Sequence, residues 1–436
     1  MKIAFILCPI VLCTAATAQS TWYVDAAAAP PGVGSLAAPY SSIQYAIDQS
    51  TTVSGDTLLV ADGTYVESLR FWGKSLALRS VNGAANTTIQ GGINPHAAIR
   101  WVDGEGAGTL LEGFTVRDAR NVSSPGGGFA CSAGSGTVQD CVFIACGSTS
   151  AGGGGASVSS GASVRFENVV VRDCFSFVRG GGIDVDSSNA AVMSCVIENC
   201  SAAFSGSSGL GGGLNGHASV IEVDNTQVLG NLSDGVCGGF SASQCSVWIH
   251  GSRFVANIAD ARGAGIHLLD SAATIVECWI ERNSTFFGGG GPIGHGLYSN
   301  RRDATQVRST TFLQNGSAGA GLSQAAVVGA TLERCTLARN FTNSFLDTAA
   351  ARDCVLNNCV VWGNVPTANS LTACVVRYSD VEGGASGVGN IDFDPLFVDL
   401  AGDDLRLLPG SPCIDSGDPT SLPDADGTRA DMGAFP

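Results

Sequence analysis

The sequence is poor in charged and aromatic side chains, which make up 14% and 7% of its 436 residues. Lysine occurs only as Lys2 and Lys74, and acidic residues outnumber basic ones 38 to 22, for a formal net charge of −16. A surface this acidic repels nucleic acid and anionic membranes, so we expect no nucleic-acid partner, and it handicaps a polyanionic polysaccharide without excluding one. Beyond residue 18, no apolar run is long enough to cross a bilayer, so we predict no transmembrane segment.

Glycine is abundant, at 59 residues, and it occurs together with many valine, alanine and serine residues. This composition suits short strands joined by tight turns better than it suits helices. One exception is the segment 41–48, where Ile43, Ala46 and Ile47 fall on one face of a short amphipathic helix with Ser41 or Ser42 as its N-cap. Such a helix would cover the open end of a sheet.

The N-terminus has the pattern of a signal peptide. Lys2 supplies a positive charge, residues 3–13 are apolar, and the small residues at 16–18 precede Gln19. We therefore predict a signal peptide over residues 1–18 and a mature chain that is secreted or held at the cell surface, in an extracellular or periplasmic compartment.

Residues of one type recur along the chain, in most cases every 24 to 28 positions. One column stays apolar in ten successive turns: Phe143, Val171, Ile197, Val228, Phe254, Ile280, Phe312, Leu337, Val361 and Val381. Five residues earlier lies a second apolar column: Val138, Phe166, Val192, Val223, Ile249, Ile275, Val307, Leu332 and Leu356. Three residues after the first column lies a polar one: Cys146, Cys174, Cys200, Asn231, Asn257, Asn283, Asn315, Asn340 and Asn364.

These columns predict a solenoid, because like residues one turn apart would stack at the strand spacing of about 4.8 Å. Asparagine amides can then bond to each other up and down the stack. The period is too short for a propeller blade and contains no helix for a leucine-rich repeat. Three short strands per turn indicate an all-β fold, a single-stranded parallel β-helix.

The repeat also resembles known families. Gly181-Gly182-Ile183 and Gly212-Gly213-Leu214, with Phe254-Val255-Ala256-Asn257, are similar to the repeats of polymorphic outer-membrane proteins, which are surface adhesins. Nearly the whole mature chain resembles secreted bacterial right-handed β-helix proteins of the pectate-lyase-like superfamily, including an opening at Trp22-Tyr23-Val24-Asp25 and an ending at Asp394-Pro395-Leu396-Phe397. The resemblance implies a right-handed solenoid. It does not imply one activity, because this fold carries lyases, hydrolases and adhesins.

We expect four segments and a monomeric protein. The signal peptide at 1–18 is followed by the cap and first coils at 19–108, the regular repeats at 109–385 and a non-repeating tail at 386–436.

Neighbouring coils also bring cysteines within reach of each other in an oxidising compartment. We predict disulfides between Cys354 and Cys374 and between Cys237 and Cys245. The alternative is that the cysteines are small buried residues that stack without bonding.

Candidate functional residues lie on the outward face of the strand that follows each glycine triplet. Asp184 and Asp186 lie two residues apart and so on the same side of one strand, about 7 Å apart, with His217 on the next coil. The two carboxylates are predicted to bind calcium or to divide acid and base roles, with His217 as a proton carrier. The same face is predicted to bind substrate through Asn215, His267, Tyr298 and Asn300.

Three functions remain open from the sequence, of which one is an inert structural component of a cell envelope that binds no ligand. The first is a surface protein that binds a polysaccharide or a cell-surface glycan, or acts in adhesion, without catalysis. The second is a polysaccharide lyase or glycoside hydrolase that uses Asp184, Asp186 and His217, with calcium as the one cofactor considered. The competing interpretation of this face is a solvated surface that keeps the solenoid soluble.

Overall fold

The computed structural model describes residues 19–202, 209–286, 293–317, 324–342, 348–367 and 370–435. The predicted signal peptide at 1–18 lies outside the described residues. Within these ranges the chain winds into a solenoid whose coils contribute one strand to each of three long parallel sheets, with consecutive coils adjacent in every sheet. The predicted parallel β-helix is confirmed.

Sheets I and II have fourteen and twelve strands among the described residues. The strands of sheet I are Thr21–Val24, Thr57–Val60, Ala77–Ser80, Leu110–Glu112, Ser135–Gln139, Ser163–Glu167, Asn189–Met193, Val220–Asp224, Ser246–His250, Ala272–Val276, Thr305–Arg308, Thr331–Glu333, Val355–Asn357 and Val375–Arg377. Those of sheet II are Leu69–Arg70, Ile99–Trp101, Phe129–Ser132, Ala156–Ser159, Ile183–Asp186, Leu214–His217, Phe240–Ser243, Ile266–Leu269, Ile293–Ser299, Gln324–Val328, Ala351–Arg352 and Leu371–Thr372.

Sheet III forms the third side and is continued by short strands beyond its corner. Its main strands are Gly63–Tyr65, Thr87–Asn94, Thr115–Asn121, Val142–Ile144, Val170–Arg172, Val196–Glu198, Gln227–Leu229, Arg253–Val255, Trp279–Glu281, Thr311–Leu313, Thr336–Ala338, Val360–Trp362 and Asp380–Val381. The short strands are Gly147–Ser148, Phe175–Ser176, Ser201–Ala202, Leu232–Ser233, Ile258–Ala259 and Ser284–Thr285. Gly316–Ser317 and Phe341–Thr342 pair with each other as a separate two-stranded sheet. The tail adds an antiparallel pair, Phe397–Asp399 and Asp404–Leu407.

Single residues in the left-handed conformation turn the chain at the corners. Between sheets I and III, five successive coils place Asn168, Ser194, Asn225, Gly251 and Glu277 there, with φ between 47° and 56°. This conformation costs a non-glycine residue about 1–2 kcal/mol. The corner N–H groups donate to carbonyls of the next coil, for example from Ser194 to Asp224 at 2.9 Å. The stacking of coils therefore offsets a local strain that recurs at each corner.

Both predicted apolar columns line the interior. Phe143 pairs with Val171 in sheet III and Val138 pairs with Phe166 in sheet I, and the register continues through both columns. All of these side chains are buried. The first coils fill the interior with aromatic rings, as where Trp101 meets Phe129 edge-on at 4.8 Å between ring centres. One continuous core therefore runs along the solenoid axis.

The predicted asparagine ladder is also confirmed, and it lies inside the core. The Asn257 Oδ1 accepts hydrogen bonds from the backbone N–H of Asn231 at 3.1 Å and from its Nδ2 at 3.0 Å. The Asn257 Nδ2 donates to Val228 O at 2.9 Å and to Asn283 Oδ1 at 3.0 Å. Because this pattern repeats through Asn364, each buried amide is satisfied by its neighbours on adjacent coils.

The predicted cap helix is observed as Ile43–Asp48, with Ile43, Ala46 and Ile47 buried and Ser42 Oγ accepting from Tyr45 N–H. Glu67 adds a second cap, because its carboxylate accepts the N–H groups of Ile43 and Gln44 at 3.0 and 2.8 Å. The helical content of the described ranges also includes a 3-10 turn at Arg302–Ala304. None of it is long and apolar enough to cross a membrane.

All fourteen cysteines among the described residues are free thiols, so neither predicted disulfide is formed. The Cys237–Cys245 prediction is wrong because the strand Phe240–Ser243 separates the two residues, and four extended residues alone span about 13 Å. Cys354 and Cys374 do lie on adjacent coils. Their thiols hydrogen-bond to each other without a covalent bond, and each also contacts a backbone carbonyl, Cys354 that of Arg352 at 3.2 Å and Cys374 that of Thr372 at 3.4 Å.

The tail packs against the outer side of sheet III. Phe397, Leu405 and Met432 of the tail form a second apolar cluster with Leu313 and Val360 of the sheet. The Asp403 carboxylate accepts from Arg282 at 2.8 Å, Gln314 at 3.0 Å and Arg339 at 2.6 Å, which are corner residues of three successive coils. The sheet III face of these coils is therefore covered.

Replacing Asn257 with alanine is expected to destabilise the solenoid strongly. The backbone N–H of Asn231 and one proton of its amide lose their acceptor, and each buried donor left unpaired costs about 1–3 kcal/mol. The urea midpoint, followed by far-UV circular dichroism, measures the loss. Asn189→Ala, at an exposed position on sheet I, is the matched control. Equal midpoints for the two variants would contradict a stabilising role for the ladder.

Asp380 should make stability depend on pH. Its carboxylate is buried and accepts from the Cys413 thiol at 3.2 Å and from Phe393 N–H at 3.2 Å. Burial raises the pKa of Asp380 from 3.8 to about 6, so its stabilising contribution is complete below pH 3.8 and is lost as pH rises through 6. Asp380→Asn should therefore be more stable than the parent at pH 7, by about 1–3 kcal/mol, and equally stable near pH 4.

The measurement is the free energy of unfolding from urea titrations between pH 4 and pH 7.5. Asp303→Asn serves as the control, because the Asp303 side chain is 86% exposed. A stability difference between Asp380→Asn and the parent that does not change with pH would count against this assignment.

Candidate functional site

Two columns of outward side chains run along sheet II, as the sequence predicted. Asp184 pairs with Asn215 and Asp186 with His217 in the register of adjacent strands. The first column continues as Ser241, His267 and Tyr298, and the second as Ser243 and Leu269. The structure therefore places the predicted Asp186 and His217 on neighbouring coils, about 4.8 Å apart along the axis.

A rim of residues that precede the glycine triplets overhangs the first column. The chain turns at Gly180, with φ at +58°, and a Cβ on Gly181 would lie 2.3 Å from Ser201 O. Only glycine allows the backbone to pass this close. The rim residues stack as the strands do, Arg179 beside Leu210 and Leu210 beside Val236.

Rim and sheet enclose a groove of about 640 Å³ along the solenoid axis. From the rim it is lined by Arg179, Leu210, Val236, Ala261 and Arg262, and from the sheet by Asn215, Gly216, His217, Ser241, Ser243, His267 and Leu269. The lining combines hydroxyl, amide and imidazole groups with apolar edges. Neither Asp184 nor Asp186 belongs to it.

Both aspartates bind Arg179 instead. The Arg179 Nε donates to Asp184 Oδ2 at 3.1 Å, and its Nη2 donates to Asp186 Oδ2 at 2.5 Å. Asn215 Nδ2 donates to the other Asp184 oxygen at 2.8 Å. Burial raises the pKa of Asp184, while the Arg179 charge and the Asn215 amide oppose that effect. Because its side chain is only 2% exposed, Asp184 holds Arg179 in position and does not reach the groove.

The calcium site predicted at Asp184 and Asp186 does not fit these contacts. The guanidinium of Arg179 binds an oxygen of each carboxylate, and a cation would have to displace that positive charge. Within the described ranges, no group of three or more histidine, cysteine, aspartate or glutamate residues is placed to hold a metal ion.

His267 lies at the far end of the groove in a stack of three side chains. Its ring stacks on Tyr298 at 5.2 Å, and the Arg262 guanidinium lies 5.4 Å from the Tyr298 ring centre. Burial, with the nearby Arg262 charge, lowers the pKa of His267 to about 4, so the ring is neutral at pH 7. Its buried Nδ1 has no hydrogen-bond partner in the described chain, and Arg262 makes no ion pair there.

Asn300 is not brought to this site. It follows the strand Ile293–Ser299, where the Asn300 Nδ2 donates to Asp270 Oδ1 at 2.9 Å and the Asn300 Oδ1 accepts from Asp270 N–H at 2.8 Å. A bulge within that strand shifts the register, because Gly294 pairs with Ala325 and Leu297 with Val327. Asn300 therefore closes a corner between sheets II and I.

Sequence analysis did not select Arg179 and Arg262 as groove residues. Each lies directly before a glycine triplet or its Gly-Ala-Gly equivalent, the position that Leu210 and Val236 occupy in the two coils between them. Because this position always precedes the glycines, the repeat identifies it from the sequence. The sequence does not show that the turn folds back over sheet II and brings these side chains to the groove.

Removing Arg179 alone is expected to lower the free energy of unfolding more than removing Arg179 and the Asp184 charge together. Arg179→Met leaves the buried Asp184 carboxylate uncompensated, which typically costs about 3–5 kcal/mol for a buried pair and less here because Arg179 is partly exposed. Arg179→Met with Asp184→Asn removes the charge as well and should recover most of the loss. Urea unfolding at pH 7 compares the variants, and no recovery in the double variant would contradict the positioning role of Asp184.

A family model described as "Right handed beta helix region" matches residues 127–389. A search of curated proteins returned no match. Among solved structures, pectate lyase Pel9A is similar over 96% of both chains, at 16% identity and a TM-score of 0.37.

Two further structures cover less of this chain. The catalytic unit of a GH87 α-1,3-glucanase from Streptomyces thermodiastaticus covers 85% of this chain and 69% of its own, at 15% identity and a TM-score of 0.34. PfbA, a surface adhesin of Streptococcus pneumoniae, covers 86% of this chain and 96% of its own, at 11% identity and a TM-score of 0.33. Because the family model spans more than half of the 436 residues, the chain belongs to the right-handed β-helix family.

Proposed function

We propose that the groove on sheet II binds carbohydrate, and that the protein acts outside the cell or at its surface as a glycan-binding β-helix without assigned catalysis. The observation that carries this proposal is the composition of the groove. Asn215, His217, Ser241 and Ser243 offer donors and acceptors beside the apolar side chains of Leu210 and Val236. A sugar presents the matching surface, with hydroxyl groups around its edge and C–H groups on its faces.

Two groups at the far end of the groove lack part of their polar pairing, and they indicate where the ligand would be held most firmly. Arg262 forms no ion pair in the described chain, and His267 has a buried ring nitrogen without a hydrogen bond. A buried polar atom left unpaired is costly, and a ligand hydroxyl or acid group would satisfy it. Arginine pairs well with carboxylates, so an acidic sugar would gain most at this end of the groove.

The alternative of a polysaccharide lyase or glycoside hydrolase receives less support from the contacts. It requires Asp184 and Asp186 to act as acid, base or metal ligand. Asp184 is buried under Arg179 and Asn215, and Asp186 shares the same guanidinium. Of the proposed catalytic set, only His217 lines the groove.

The test is isothermal titration of the chain from residue 19 onward with oligogalacturonate and with the same oligomer after reduction of its carboxyl groups. Arg262→Ala should weaken oligogalacturonate binding by about 10- to 100-fold, the range expected when a hydrogen bond to a charged group is lost. Arg117→Ala is the matched control, because Arg117 is an exposed arginine on sheet III paired with Asp118.

Reducing-end and unsaturated-product assays on the same samples address the catalytic alternative. Product formation that is lost in Asp186→Ala would favour it over binding alone. If neither oligomer binds, or if Arg262→Ala binds as tightly as the parent, the proposed role of this groove is wrong.

A further inference from the structure

A second concave surface lies on the outer face of sheet I, on a different side of the solenoid from the groove described above. It has a volume of about 450 Å³, is lined by Val220, Glu222, Trp248, Thr274 and Gln306 among others, and ends at Ala304 in the 3-10 turn. An adjoining hollow of about 350 Å³ shares Val220 and Glu222 and extends to Thr137 and Ala107.

The two shallow hollows lie side by side along the sheet and share Val220 and Glu222, and we call them together the sheet I channel. It crosses seven consecutive strands, from Ser135–Gln139 to Thr305–Arg308. At about 4.8 Å per strand the channel is about 29 Å long. The loop that carries Ala107 and the turn that carries Ala304 lie at its two ends. A channel of this length suits an extended chain better than a compact small molecule.

Trp248 lies in this channel with its side chain 38% exposed. In the strand register it stands between Glu222 on one coil and Thr274 on the next. A large aromatic side chain on the solvent side of a strand contributes little to the core, and burying it against a ligand would be favourable.

The orientation of the Trp248 ring is held in advance. It stacks on His250 at 5.3 Å between ring centres, with 16° between the planes. His250 is held on both sides, its Nδ1 2.7 Å from Asp224 Oδ1 and its Nε2 3.3 Å from Glu277 Oε2. A ring that is already fixed loses little conformational freedom on binding, so the contact area is converted efficiently into affinity.

Apart from Glu222, the polar groups that line the hollow around Trp248 are uncharged, and the one charged group that the adjoining hollow adds is Arg165, which is paired with Glu167. Thr274, Gln306 and Ser246 offer hydroxyl and amide groups. Asp224 and Glu277 are bonded to His250, so Glu222 is the one carboxylate of the channel wall without an ion pair among the described residues. A single free carboxylate can accept hydrogen bonds from two sugar hydroxyls, whereas binding a polycation would require several carboxylates.

We propose that the sheet I channel binds a neutral polysaccharide in extended form, with Trp248 stacked on the face of one sugar ring. Glu222, Thr274 and Gln306 bond the hydroxyl groups of that sugar and its neighbours. This site is separate from the groove on sheet II and does not depend on the function proposed for that groove. A cationic peptide is the competing ligand that the experiment must distinguish.

The experiment titrates the chain from residue 19 onward with cellohexaose, xylohexaose and mannohexaose, and with hexalysine in a separate arm. Binding is followed by calorimetry and by tryptophan fluorescence. At least one neutral hexasaccharide should bind and change the fluorescence. Trp248→Ala should weaken that binding at least 10-fold, and Trp248→Phe, which keeps an aromatic face, should weaken it less.

Trp72→Ala is the matched control, because Trp72 is 52% exposed near the N-terminal cap and lies outside the channel. It should bind as the parent does. Circular dichroism verifies that each variant is folded. The proposal is overturned if none of the three neutral hexasaccharides binds, if Trp248→Ala binds as tightly as Trp72→Ala, or if only hexalysine binds and Glu222→Gln abolishes that binding.

Discussion

The structure depends on the parallel pairing of each coil with the coils before and after it. A residue in sheet I, II or III has its nearest neighbours one coil away, in the same position of the repeat. Apolar columns, the buried asparagine ladder and the glycine triplets all follow from this one constraint. The ladder shows it most clearly, because the Asn257 amide is useful only if Asn231 and Asn283 stack directly on either side of it.

The same constraint leaves the outward positions free to differ from coil to coil. Inward side chains must fill a core of constant width, whereas Asp186, His217, Ser243 and Leu269 share one outward column with no chemistry in common. Both candidate sites use this freedom. The groove on sheet II and the sheet I channel are each assembled from single residues that different coils contribute.

Charge pairing weighs against the metal-binding and acid–base roles predicted for Asp184 and Asp186. Two aspartates on one strand face were a reasonable candidate for a metal or an acid–base pair. Arg179 neutralises both, and the burial of Asp184 makes that partner necessary. The stacked cysteine thiols likewise have partners nearby, because they donate to backbone carbonyls such as that of Arg352.

The sequence by itself determined the fold, the cap helix and the interior. Burial imposes the same requirement on every coil, so the inward positions repeat the same residue type at a regular spacing. The sequence therefore shows the inward columns, such as Phe143 and Val171, and the ladder through Asn257. Only the tertiary structure decided that Arg179 and Arg262 overhang sheet II, that Asn300 closes a corner and that Trp248 stands in a channel. These features depend on how a turn folds back and on which residue the next coil places beside them. Neither produces a repeating pattern in the sequence.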